Sequence, residues 1–199
     1  PLQVLEQAIA MSPRFVMARV LCSYIYLCSR DPGNTQKARR SISALADAPA
    51  NERERQHLAI VRALIAADYV TAHALLSALL DRYPKEVLAL QVAHAFDYLL
   101  GNTRQLRDRV AHVLPRYPKD LPGHSAVAVM YAFGLAENAD FSRAVDWGMH
   151  ALERDPGNPR AHHFLAHVHE MTLQFKTGRR WMVEHAAQWS QGSTVATHC

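Results

Sequence analysis

Apolar residues return every three to four positions along most of the chain. Leu106, Val110 and Val113 form one such series, and Phe141, Ala144, Val145 and Met149 form another. That interval is the period of an α-helix with one face turned inward, whereas the strict alternation that marks a half-buried strand is not sustained anywhere. Polar clusters rich in turn-forming residues cut the pattern into segments: Asp31-Pro32-Gly33-Asn34, Gly101-Asn102, Asn138-Ala139-Asp140 and Asp155-Pro156-Gly157-Asn158. The intervals predict helices over 2–10, 14–29, 34–47, 51–66, 69–82, 86–100, 103–116, 122–137, 140–153, 157–172 and 175–190.

Five prolines punctuate this series. Pro13, Pro49, Pro84, Pro118 and Pro156 each follow an apolar helical stretch, at spacings of 36, 35, 34 and 38 residues. Proline has no N–H to donate and keeps its predecessor out of the helical region, so it stops a helix and starts a turn. A period near 34 with proline closing the second helix of each pair is the signature of tetratricopeptide repeats. With Pro156 as repeat position 32, Ala151, Ala144 and Ala132 fall at positions 27, 20 and 8, where helices approach closely and a large side chain would push them apart. The same count gives Val113, Leu106 and His94 before Pro118, and Leu79, Ala72 and Ile60 before Pro84. The expected fold is all-α: an α-solenoid of about five helix-turn-helix pairs, one domain over 1–190, whose first helices line a concave surface. Leu2 to Met11 already reads as the second half of a pair, and 191–199 reads as a truncated polar C-terminal segment, so the chain is expected to be a piece of a longer one.

Composition narrows the partners. With 49% hydrophobic and 20% charged residues the chain has enough apolar content to bury a continuous core. No apolar run approaches the roughly 18 residues of a membrane span, and no charged-then-apolar leader opens the sequence, so a soluble, cytoplasmic protein without a membrane partner is expected. Cys22 and Cys28, two of the three cysteines, lie six apart on different faces of one predicted helix, which argues against a disulfide framework. The net charge of +4 and the cluster of Arg104, Arg107, Arg109 and Arg116 on one predicted helix raise the question of nucleic acid. Against it, arginine outnumbers lysine 18 to 4, as codon bias alone can produce, and acidic residues are interspersed through most of the chain. Nucleic acid is therefore not an expected partner.

From about Glu52 onward four segments occur in order: Ala93-His94-Ala95-Phe96-Asp97-Tyr98-Leu99-Leu100-Gly101, Arg107-Asp108-Arg109-Val110-Ala111-His112-Val113-Leu114-Pro115, Tyr131-Ala132-Phe133-Gly134-Leu135-Ala136-Glu137 and His163-Phe164-Leu165-Ala166-His167-Val168-His169-Glu170-Met171. In composition and order this part of the chain resembles the tetratricopeptide repeat protein 38-like family, a branch of degenerate tetratricopeptide proteins. The resemblance implies the solenoid fold and supplies no catalytic residues. Members of that family continue with further His- and Trp-containing helical sequence, of which this chain holds only His198.

The histidines are the candidate chemistry. Twelve occur in 199 residues, and His162, His163, His167 and His169 lie within eight positions of one another. In the repeat count Arg160, His163, His167 and Glu170 take the groove-facing positions of the last full repeat, while His162 and His169 face helix partners and are assigned to packing and buried hydrogen bonding. Three readings of the groove-facing set remain open. It is a hydrated or internally bonded face; or Arg160 and a protonated histidine bind a carboxylate or phosphate, with Glu170 favouring the charged form of His167; or it is a metal or catalytic site. His163 and His167 have the chelating spacing of one helical turn, but Glu170 lies about 10.5 Å along the axis from His163, so a third ligand would come from another helix, with His124, His94 and His198 as candidates.

Known catalytic patterns fail. Phe164 follows His163 where the zinc-protease motif needs glutamate, and no G-x-S-x-G elbow or glycine-rich phosphate loop occurs. His94 and Asp97, three apart, are positioned to hydrogen-bond on one turn, with a packed histidine as the plainer alternative. Trp147, Trp181 and Trp189 read as core or interhelix anchors, Trp189 being the one a missing C-terminal continuation would leave exposed. The expected function is a scaffold that binds a peptide or protein in its concave groove through Arg160, His163, His167 and Glu170, with no cofactor. The alternative is an enzyme or metal-binding protein that completes His163 and His167 with groups beyond the chain end.

Overall fold

In a computed structural model, which describes residues 2–29 and 31–190, the chain is all-helical, and no strand occurs among the described residues. The chain forms two compact units, one running to Phe96 and the other from Asp97 onward. The first contains α1 (Leu2–Met11), α2 (Val16–Cys28), α3 (Pro32–Ser43), α4 (Glu52–Ile65), α5 (Tyr69–Arg82) and most of α6 (Val87–Leu99). The second contains α7 (Thr103–Val113), a single 3₁₀ turn at Leu114–Arg116, α8 (His124–Ala136), α9 (Phe141–Arg154), α10 (Pro159–Met171), α11 (Phe175–Glu184) and the one-turn α12 (Ala186–Trp189).

Local chemistry explains most of the ends. Asp31 caps α3 by accepting from the Gly33 N–H, and Pro32 follows as the first helical residue, where its missing N–H costs nothing. The helix therefore starts two residues before the predicted 34 and stops at Ser43. Asn51 and Glu54 close a reciprocal capping box on α4. Pro115 tightens the end of the predicted 103–116 segment into a 3₁₀ turn. The predicted 175–190 helix is interrupted at His185, whose ring Nδ1 bonds the Trp181 carbonyl at 2.8 Å while its backbone leaves helical values.

Four turns share one geometry. Ala67, Gly101, Ala139 and Leu173, at φ of 55°, 73°, 61° and 59°, separate α4 from α5, α6 from α7, α8 from α9 and α10 from α11. They recur at intervals of 34, 38 and 34 residues. In each, the next N–H reaches back five residues: Asp68 to Ala63, Asn102 to Asp97, Asp140 to Leu135 and Gln174 to His169, at 2.9, 2.7, 3.0 and 2.7 Å. This is the Schellman closure of a helix end, which satisfies a carbonyl that the last turn leaves open.

Packing follows the same interval. Within the first unit α2 packs on α3 and α4, and α4 on α5; within the second, α8 packs on α7, α9 and α10, and α10 on α9 and α11. Hydrogen bonds join residues about one interval apart: Arg14 to the Asp47 carbonyl, Tyr24 to His57, Arg53 to Glu86, Asn138 to the Thr103 carbonyl and Asn158 to Ser125. The predicted close-approach positions are in the core, since Ile60, Ala72, Leu79, Leu106, Val113, Ala132, Ala144 and Ala151 are all buried, while His94 is half-buried. Gly134 on α8 lies so near α7 that a β-carbon there would sit 2.5 Å from the Leu106 carbonyl oxygen. No helix among the described residues is long and apolar enough to cross a membrane.

Candidate functional site

Helix α10 sorts its residues cleanly. Ala161, Phe164, Leu165 and Val168 recur at helical spacing and are buried together with His162, while Arg160, His163, His167 and Glu170 run along the opposite side. Asn158 starts the helix by accepting from the Arg160 and Ala161 N–H groups and is itself tied to Ser125 at 2.9 Å, which fixes the helix and hence the stripe. Arg160 and Glu170 are exposed, and His163 and His167 are half-buried. The two imidazoles meet edge to face with centroids 4.4 Å apart, and His167 Nδ1 lies 3.3 Å from Glu170 Oε2. The Arg160 guanidinium makes no ion pair among the described residues.

The structure thus brings His163, His167 and Glu170 into one contact chain on a single helix face. It supplies no third helix-borne donor to the pair: among the described residues no group of three His, Cys, Asp or Glu side chains has a metal-holding arrangement. Of the candidate third ligands, His124 instead faces His150, and His198 lies outside the described residues. The stripe's chemistry is that of a surface offering a bidentate cation, two imidazoles and one carboxylate to a polar ligand.

The neighbours assigned to packing are found there. His162 is buried, and its Nε2 lies 2.9 Å from the Pro156 carbonyl oxygen, leaving Nδ1 without a hydrogen bond. Burial holds its pKa below the usual histidine value. His169 sets its Cβ against Gly178, where a β-carbon would come within 2.9 Å. Trp181 stacks on His185 at 3.9 Å, Trp147 meets Tyr131 and His150 edge to face, and half-buried Trp189 donates to the Met182 carbonyl.

Of the four arginines grouped in the sequence, Arg104 and Arg116 are exposed, Arg107 is half-buried and Arg109 is buried. Arg109 is buried, and its Nε lies 3.0 Å from Asp97 Oδ2; Arg107 pairs with Asp108; and Arg116 lies in the 3₁₀ turn beyond the helix. Asp97, expected beside His94, is buried and pairs with Arg109. Cys22 and Cys28 are free thiols, with Cys22 buried.

Two polar groupings escaped the sequence reading. In the first unit Tyr24 Oη lies 2.9 Å from Nδ1 of the fully buried His57, whose Nε2 stands 3.7 Å from Glu86, and Glu86 also pairs with Arg53. Burial pushes the Glu86 carboxyl up, but His57 and Arg53 outweigh it and hold it below the usual carboxylate range. In the second unit His124 and His150 face each other across α8 and α9. The sequence carried one signal for the first grouping: Tyr24 and His57, like Arg53 and Glu86, are 33 residues apart, one repeat interval.

Fold and site together define an all-α protein of helical hairpins that carries a polar, titratable stripe on the outer side of α10. No protein-family model matches this chain.

Proposed function

We propose that the chain is a tetratricopeptide-type α-solenoid that acts as a binding scaffold, holding a peptide or protein partner against the Arg160, His163, His167 and Glu170 face of α10. The observation that carries this reading is the division of α10: Ala161, Phe164, Leu165 and Val168 are buried, while the opposite stripe holds four polar side chains, two exposed and two half-buried. The four matching turns, the recurrent interval of hydrogen bonds and the neighbour-to-neighbour packing support a repeat array, and such arrays present the first helix of each pair on a concave side. The resemblance to the tetratricopeptide repeat protein 38-like family points the same way. The stripe suits a ligand with a carboxylate or phosphate that a guanidinium can grip bidentately, with imidazoles beside it to donate further hydrogen bonds.

The experiment is a selection from a random peptide library displayed on phage, with the full chain as bait and the Arg160→Ala/His163→Ala/His167→Ala/Glu170→Ala variant for counter-selection. Acidic peptides retained by the unaltered chain and released by the variant support the reading. Peptides held equally by both, or no enrichment at all, overturn it.

A further inference from the structure

Outside α10, one pair of side chains has a geometry that packing alone does not require. His124, at the start of α8 and buried, and His150, late in α9 and partly open to solvent, come from helices that pack side by side, and their Nε2 atoms stand 3.4 Å apart. A hydrogen bond between two imidazoles would be shorter, about 2.7 to 3.2 Å. Two nitrogens bound to one tetrahedral metal ion at about 2.0–2.1 Å stand about 3.3 to 3.4 Å apart.

The two Nδ1 atoms, turned away from that contact, have different surroundings. His150 Nδ1 lies 3.5 Å from Glu153 Oε2, which places a carboxylate beside the ring nitrogen that does not face His124. His124 Nδ1 is buried without a well-formed hydrogen bond, and the backbone group acting on the ring is the Tyr117 carbonyl. Trp147 packs edge to face on His150 and Tyr117 tilts against His124, which restrains both rings.

We propose that His124 and His150 form a two-histidine site for a borderline divalent transition-metal ion, with zinc as the reference ion. No third His, Cys, Asp or Glu completes a set among the described residues, so water or a solute fills the remaining positions, reached past the partly exposed His150. Arg154, which donates to the Lys119 carbonyl, holds a guanidinium near this end of the helix pair. The site does not depend on the scaffold reading.

The test uses the full chain carrying His163→Ala/His167→Ala, so that the α10 pair cannot contribute. Titration with zinc chloride by calorimetry is expected to show one ion per chain. His150→Ala, at the partly exposed member, is expected to weaken binding at least tenfold while the metal-free melting temperature holds, and Glu153→Gln to weaken it up to about tenfold. Imidazole nitrogen spectra of the parent keep the proposal testable even if His150→Ala does not fold: zinc should move both Nε2 resonances, with the protons on Nδ1. Equal zinc uptake by His150→Ala, no uptake at millimolar zinc, or a proton retained on either Nε2 in the zinc-bound form overturns the site.

Discussion

His57 and His163 are the same residue type in helices of similar length, yet they occupy opposite environments. His57 has no solvent exposure and sits between the Tyr24 hydroxyl and the Glu86 carboxylate, which is in turn tied to Arg53. His163 lies on the outer side of α10 against His167. The contrast separates two uses of a polar side chain. In the interior an unpartnered donor or acceptor costs the desolvation of the group, and although His57 Nε2 makes no hydrogen bond, the Tyr24–His57 Nδ1 contact and the Arg53–Glu86 pair tie α2, α4 and the start of α6 together. On the outer face of α10 the same group is half-buried and packs on its neighbour along the helix, His167, with no role in the apolar core of that helix.

The sharpest way to break this distinction is to remove His57. His57→Ala leaves the Tyr24 hydroxyl and the Glu86 carboxylate short of a neighbour and opens a cavity, at an expected cost of about 2–4 kcal/mol in urea unfolding. A cost under about 0.5 kcal/mol would place His57 with the exposed group.

Acid should act on the interior in the same sense. His162 and His124 both have folded pKa values below the ordinary 6.5, chiefly through burial. The unfolded chain then binds more protons between the two values, so stability rises with pH there. The contribution is complete above about 6.5 and is lost as pH falls through the lowered folded values. The urea midpoint should drop between pH 7.5 and pH 5, and His162→Gln should flatten that slope.

A third substitution sharpens the account of the turns. Ala139 holds a left-handed φ of 61° at an exposed position equivalent to Gly101, a conformation that costs a residue with a β-carbon about 1 kcal/mol. Ala139→Gly should stabilise the chain by about 0.5 kcal/mol after the added freedom of the unfolded state is offset, visible as a small rise in melting temperature. The smallest effect is expected on α10, where His163→Ala/His167→Ala should change stability by less than about 0.5 kcal/mol.

Much of this was readable before any coordinates. The apolar period and the spaced prolines located the helices, and the repeat count put Ala132, Ala144, Ala151, Leu106 and Ile60 where the core is. The count also put Arg160, His163, His167 and Glu170 on the side of α10 away from its buried residues. What the sequence hid was pairing at long range. Asp97 and His94 lie on one turn, but nothing in the sequence signalled that Arg109 from the next helix pairs with Asp97. His124 and His150 are separated by 26 residues, an offset that matches no helical spacing and is set by the way α8 lies along α9. The left-handed turns were legible at Gly101 and hidden at Ala67, Ala139 and Leu173, where tertiary closure imposes a conformation that those residue types do not announce.

The central claim is that the outer face of α10 binds and does not hold the fold. Its most direct test is calorimetric titration of a library-selected acidic peptide into the unaltered chain and into Arg160→Ala/His163→Ala/His167→Ala, with thermal melts of both proteins. The account predicts that affinity falls at least about tenfold, equivalent to about 1.4 kcal/mol, while the melting temperatures agree. Unchanged affinity in a folded variant, or a variant that melts far below the parent, would contradict it.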